Sequence, residues 1–286
     1  MKREKASVQS SLTRFTSRVV SLAKKATDGA SEPPVQKGDG GYADWVIVAI
    51  HGLREYLDHS YRLLLDELSE MDDIVEKLGL TVAELPDFTT VAVRYQELKM
   101  AVWRALLRLS TELLETGEVQ AIDATGFDRH GASQHYATRT GYTFKAVKTT
   151  ALVDCDTGLI LDIHCSMTHP HDTQIGEQVL KRNLDRVEIL TADKGYDSDK
   201  LREFLRQNGV RPVIRHREFT SLDAAHNARI DDDIYHQRPI VESVFHAMKQ
   251  RFGATLRARI WFGQFRELVL KAAILNITTA ISSSTA

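Results

Sequence analysis

The feature that most limits how this chain can fold is a change of texture at Glu118. Before it, apolar residues recur at helical spacing. After it, short runs rich in Val, Ile, Thr and aromatic residues alternate with helical stretches. Tyr42 to Leu80 reads as helical, with Tyr61, Leu64, Leu65 and Leu68 on one face and Gly79 as a C-cap. Leu85-Pro86-Asp87-Phe88-Thr89-Thr90 reads as a turn with candidate N-caps, and a helix follows to about Glu115. Two helices joined this way form either a plain packing unit or a helix-turn-helix with Arg94 and Lys99 facing DNA. Upstream, residues 28–41 read as a linker, preceded by a short basic amphipathic helix built on Leu12, Phe15, Val19, Val20 and Leu22. The expected organisation is a basic segment and linker over 1–41, an all-helical domain over 42–118 and an α/β domain over 119–286.

Within the last of these, Val119–Asp123, Tyr142–Val153 and Leu159–Met167 read as strands, with a turn at Asp154–Gly158. A helix at Thr173–Asn183, a buried strand at Val187–Asp193, a helix at Ser198–Asn208 and a strand at Arg211–Arg215 follow. Residues 218–233 read as polar and irregular, and Pro239 opens a final long helix. Three antiparallel strands followed by helix-linked parallel strands is the order of a ribonuclease-H-like sheet, an order other mixed sheets share.

Composition narrows the classes. With 2 Cys in 286 residues the chain is neither a disulfide scaffold nor a multi-cysteine zinc module, and Cys155 and Cys165 read as reduced thiols. The longest purely apolar stretch, Trp45 to Ile50, is too short to cross a bilayer, and the polar N-terminus lacks a secretory core. The expectation is a soluble, cytoplasmic protein with no membrane partner. The net charge of −2 hides an uneven distribution. Residues 1–37 hold eight Lys/Arg against three acids, residues 54–119 seven against fourteen, and residues 235–286 seven against two. Basic ends suit a polyanion, and equally suit two solvated faces.

Three carboxylates carry the chemistry. Asp123 sits at the end of the first strand, in Ala121-Ile122-Asp123-Ala124-Thr125, and Asp193 at the end of another, in Thr191-Ala192-Asp193-Lys194-Gly195-Tyr196-Asp197. In open α/β sheets such strand ends are where ligands bind, although either Asp alone could simply cap a turn. On the helix opened by Pro239, Arg238, Glu242 and Lys249 lie within about 40° of one another. Val241, Val244, Phe245, Met248 and Phe252 fill the neighbouring sector. A surface ion pair explains Arg238 with Glu242, but neither Lys249 nor the two strand-end aspartates. Three carboxylates converging offer hard oxygen ligands suited to Mg²⁺ or Mn²⁺, two of which could drive phosphoryl transfer. Cations alongside would hold a phosphodiester backbone.

Tyr235-x2-Arg238-x3-Glu242-x6-Lys249 matches, letter for letter, the Y-x2-R-x3-E-x6-K signature of DDE transposases of the insertion-sequence four/five superfamily. The segments around Asp123 and Asp193 resemble that family's first and second aspartate motifs, and the whole chain is similar to haloarchaeal transposases of the five-type group. The resemblance implies a catalytic, metal-binding triad of Asp123, Asp193 and Glu242 with two Mg²⁺ or Mn²⁺ ions. It implies DNA contacts by Arg238, Lys249 and Tyr235, the last beside the terminal DNA. It also implies a nucleoid-associated homodimer on paired ends, binding double-stranded DNA at terminal inverted repeats, cutting there and joining the freed 3′-hydroxyl to target DNA. Rival readings are an inactive DNA-binding repressor of transposition and a metal-dependent nuclease of the same fold.

Other groups could pass for ligands or contacts. His169, His171 and Asp172 resemble a metal cluster, but Asp172 is expected to N-cap the next helix while the imidazoles face solvent or the nearby active site. Asp128 and Asp197 are rival ligands expected to serve turns, and Asp231-Asp232-Asp233 reads as solvated surface. Lys145 and Lys148 could reach DNA, and Phe262, Phe265, Leu268 and Leu270 are expected to pack.

Overall fold

The computed structural model describes residues 10–36, 41–129 and 146–284. Lys145 and the first part of the Tyr142–Val153 strand lie outside them, as do the basic residues ahead of Ser10. The chain divides into two compact units, Met1–Ser110 with Ile277–Ala286, and Thr111–Asn276.

The first unit contains α1 (Ser11–Ala26), α2 (Asp44–Leu57), α3 (Tyr61–Leu68), α4 (Asp72–Lys77), α5 (Phe88–Glu97) and α6 (Met100–Ser110). Within this unit α1 packs on α2 and α6. Phe15 stacks on Tyr56 with ring centroids 4.0 Å apart. Gly52 permits the approach, since a Cβ there would lie 2.6 Å from Val19 Cγ2. The helical stretch expected over Tyr42–Leu80 is three helices. Asp58 turns left-handed at φ 60° to end α2, and Ser60 caps α3 through the Leu63 N–H. The helix expected from Phe88 to Glu115 breaks at Leu98, whose backbone is extended. Arg94 does not face outward for DNA: its guanidinium donates to the Tyr42 carbonyl (2.9 Å) and ion-pairs with Asp44 and Glu97. His51 is buried among Tyr61, Tyr95 and Trp103, and burial with the Arg54 charge pushes it down to about 3, so the ring is neutral.

The second unit is a mixed α/β layer structure. Its strands are β1 (Val119–Arg129), β2 (Val147–Asp154), β3 (Ile160–Ser166), β4 (Ile189–Ala192), β5 (Arg211–Ile214) and the two-residue β6 (Thr255–Leu256). The sheet order is β3-β2-β1-β4-β5, with β2 antiparallel to both neighbours, β4 and β5 parallel to β1, and β6 added to the far end of β1. Helices α7 (Asp172–Lys181) and α8 (Asp199–Gln207) cover one face through Ile175, Val179, Leu201 and Leu205, packed with Ile122, Leu190 and Ile214. The polar stretch 218–233 is not irregular. A capping box between Thr220 and Asp223 starts α9 (Ser221–Asn227), and Asp231 caps α10 (Asp232–Tyr235). Thus the aspartate run there is more than solvated surface, since Asp232 also ion-pairs with Arg215 at 2.6 Å. Helix α11 (Pro239–Phe252) packs on β1 and β2 with Val241, Val244, Phe245, Met248 and Phe252 buried. It is not the last helix: α12 (Trp261–Ser283) follows. Among the described residues no helix is long and apolar enough to cross a membrane. Cys155 and Cys165 are both buried, and burial pushes the Cys155 thiol up to about 12.

Candidate active site

β1 runs six residues past the Asp123 at which it was expected to stop, so Asp123 lies within the strand and not at its end. Its pairing changes there instead. Ile122 opposite Ala192 is the last register pair of the parallel β1–β4 ladder, and Asp123 and Asp193 are the next residue on each chain. Adjacent strands run about 4.8 Å apart, so the ladder itself brings the two aspartates side by side. Asp123 Oδ1 accepts the Ala124 N–H at 2.7 Å, and Asp193 Oδ1 accepts the Gly195 N–H at 2.7 Å. The latter bond closes the one-turn 3₁₀ helix Lys194–Tyr196. A Cβ at Gly195 would sit 2.7 Å from Asp193 Oδ1, which is why the turn needs glycine.

Helix α11 delivers the other groups. Arg238 and Glu242, one turn apart, ion-pair at 2.6 Å. Lys249 reaches back to β1, donating to Thr125 Oγ1 at 2.7 Å with its ammonium 5.2 Å from the Phe127 ring centroid. Thr125 shares the Asp123 face of the strand by alternation. The electrostatics tie the set together. Burial raises the Asp123 carboxyl to about 6; the Asp193 and Glu242 charges add to the rise, while the Ala124 N–H and Arg238 oppose it. Tyr235 lies within the field of Arg238, and the Arg215 guanidinium covers its ring at 4.3 Å. Asp123, Asp193, Arg238 and Glu242 thus share one electrostatic neighbourhood, with Lys249 tied to Thr125 two residues from Asp123 and Tyr235 to Arg238.

Sequence reasoning missed three of their companions. Thr125 holds Lys249, and Arg215 stacks on Tyr235. Tyr196 is fully buried, and its hydroxyl finds no hydrogen-bond partner among the described residues. Burial and the charges of Asp172, Asp123 and Asp193 push the Tyr196 hydroxyl well above its ordinary range. Strand alternation would have found Thr125 had the strand not been expected to end at Asp123.

The competing groups are otherwise engaged. Burial would raise Asp197, but the Arg217 N–H and the Arg202 guanidinium (2.7 Å) outweigh it and hold the carboxyl below the usual range. Asp128 points to the opposite face from Asp123. The cap of α7 is His171, not Asp172: the His171 ring accepts from the Thr173 N–H, while Asp172 ion-pairs with Lys148 at 2.7 Å. His169 bonds the Ala146 carbonyl at 2.6 Å. Phe262 does not pack; it is 63% exposed, whereas Leu268 and Leu270 are buried.

Among the described residues no three His, Cys, Asp or Glu side chains stand as a ready-made metal cage. Glu242 is turned to Arg238. The donors nevertheless fit a hard divalent cation in kind: they are all oxygen, and the most buried of them is short of positive charge.

Comparison with known proteins places residues 115–277 under a family model described as the transposase DDE domain. Among solved structures, the chain is similar to a piggyBac transposase synaptic complex with hairpin DNA, at 12% identity and a TM-score of 0.46, covering 99% of this chain and 70% of that one. It is also similar to a Mos1 transposase paired-end complex with the left transposon end, at 10% identity and a TM-score of 0.24, covering 86% and 99%. No curated protein sequence matches the chain.

Proposed function

The chain belongs to the transposase DDE domain family, and from that premise we propose that it is an insertion-sequence transposase of the four/five superfamily, nearest the haloarchaeal five-type group. The β3-β2-β1-β4-β5 order with β2 reversed supports reading the second unit as ribonuclease-H-like. In this reading Asp123, Asp193 and Glu242 are the catalytic triad and hold two Mg²⁺ or Mn²⁺ ions. The observation that carries it is that Asp123 and Asp193 follow the last register pair of the β1–β4 ladder, side by side, with the Glu242 charge also acting on Asp123. An arrangement of that kind is stabilised by a cation.

Bound there, divalent ions would activate the attacking oxygen and stabilise the leaving one. The chain's own residues bind and orient. Arg238 and Glu242 neutralise each other in the resting site, and each has a better partner in the loaded one: phosphate for the guanidinium, a divalent cation for the carboxylate. Lys249, fixed by Thr125, supplies a point charge to the backbone on the Asp123 face. Tyr235, braced by Arg215, lies beside the terminal nucleotides. Water attacks the phosphorus at the end of the inverted repeat, its proton passes to solvent, and the element's 3′-oxygen leaves as a hydroxyl. That 3′-hydroxyl then attacks a phosphodiester of the target duplex and displaces a target 3′-oxygen. A homodimer would pair the two ends, and the helical unit would serve end binding or dimerisation.

A strand-cleavage assay on DNA carrying the element's own ends, with Mg²⁺ or Mn²⁺, tests the reading. Nicking at the repeat boundary should vanish in Asp193→Ala and Glu242→Gln while DNA binding persists. Specific binding without cleavage by the wild type would point to a repressor instead.

A further inference from the structure

The segment joining β6 to α12 is held from beneath and exposed on top. The Glu267 carboxylate, 4% exposed, accepts the backbone N–H groups of Arg257 (3.1 Å) and Ala258 (2.8 Å) and ion-pairs with the buried Lys271 ammonium at 2.6 Å. The buried Gln264 amide donates to the Ala258 carbonyl at 2.9 Å. Gly263 lets the chain fold back closely: a Cβ there would lie 3.1 Å from Ala258 Cβ. Burying an ion pair is costly, and here it fixes the backbone of a surface loop.

That loop presents a particular mixture to solvent. Arg257 and Arg259 are exposed, as is Arg251 at the end of α11. Between and beside them Ile260 is 57% and Phe262 63% exposed, and the half-buried Trp261 stacks on Phe265. Guanidinium groups interleaved with exposed apolar side chains match a polyanion whose base steps an apolar side chain can wedge, which is the chemistry of duplex DNA. The loop's position agrees. β6 pairs with the far end of β1, Asp128 opposite Thr255 and Arg129 opposite Leu256. Asp128 lies five residues beyond Asp123, about 17 Å along an extended strand. Lys249 lies between, on Thr125.

We propose that the Arg257–Phe262 loop is a second DNA-holding surface, reached from the Asp123 site along β1 and β6. Arg257 and Arg259 lie on the backbone, and Phe262 packs against a base step. The inference rests on the transposase reading.

The test uses the full chain and a labelled mixed-sequence duplex of about 30 base pairs, with affinity measured across a salt series. Each lost phosphate contact lowers the slope of log K against log salt by about 0.9. Arg257→Ala/Arg259→Ala should therefore lower it by nearly two. Phe262→Ala should weaken binding about tenfold with the slope unchanged. Arg206→Ala, an exposed arginine on α8, should change neither, and unchanged melting temperatures would show that all variants fold. Wild-type affinity and slope in both loop variants, or an equal loss in Arg206→Ala, would overturn the inference while leaving metal-dependent cleavage intact. A concentration-dependent loss of dimer with unaltered DNA binding would overturn it in favour of self-association. No wild-type binding even at low salt would overturn the transposase reading and this inference together.

Discussion

Asp162 and Asp123 are carboxylates on the same sheet with opposite surroundings. On β3, Asp162 Oδ2 accepts from Arg182 Nε (3.0 Å) and Nη2 (2.8 Å) and from Asn183 Nδ2 (2.9 Å), and Oδ1 accepts the Ile163 N–H at 2.8 Å. Asp154, fully buried at the end of β2, accepts from the Gly117 and Thr157 N–H groups and the Thr157 hydroxyl. Asp123, by contrast, has among the described residues the N–H of its own neighbour and the Arg238 charge set against burial and two like charges. A buried carboxylate supplied with donors holds a fold together; one left short of them is a place for something else to bind.

The widest separation between the two classes should be in cleavage. Asp193→Ala is expected to lower the rate on the order of 10⁴-fold with little change in melting temperature. Asp162→Ala should leave the rate of the folded protein nearly intact. Its effect belongs to stability, a loss of about 2–3 kcal/mol in denaturant unfolding as Arg182 and Asn183 lose their acceptor. A cleavage defect without a stability loss in Asp162→Ala would erase the distinction.

A smaller effect sharpens it through pH. The folded Asp123 carboxyl titrates at about 6 against an ordinary value of 3.8. Between those values the folded state holds more protons, so this group's contribution makes stability fall as pH rises. The contribution favours folding fully below 3.8 and is lost above about 6. Metal-free Asp123→Asn should lack that component of the pH profile and be at least as stable as wild type at pH 7. The smallest change is expected from Lys249→Met, a drop of about 0.9 in the salt slope of DNA binding.

Much of the site was legible because its chemistry is written locally. Arg238, Glu242 and Lys249 share a helix face by spacing alone, and two apolar strands each deliver an aspartate. What escaped depended on non-local pairing. The first strand was expected to stop at Asp123, yet it continues because it can pair with β2, where Gly126 faces Lys148. The structural role of Asp162 depends on Arg182 and Asn183 twenty residues on, which no pattern within β3 announces. The split of Tyr42–Leu80 turns on the left-handed Asp58, a conformation that aspartate tolerates without advertising. The helix at Ser221–Asn227 was readable, since Thr220 and Asp223 have capping-box spacing, but polar composition masked it. Phe262 and Leu268 look alike in sequence; only the pinned turn before α12 puts one in solvent and the other in the core.

In this reading burial and like charge at the Asp123–Asp193 edge exceed what Arg238 offsets, and a divalent cation supplies the remainder. Thermal unfolding titrated with Mn²⁺ tests it without recourse to activity, because a ligand that binds only the native state raises Tm with its concentration. Wild-type Tm should climb with Mn²⁺, Asp123→Asn and Asp193→Asn should stay flat, and Asp162→Asn should start lower and climb in parallel with wild type. A flat wild-type response, or an undiminished climb in Asp193→Asn, would contradict the account.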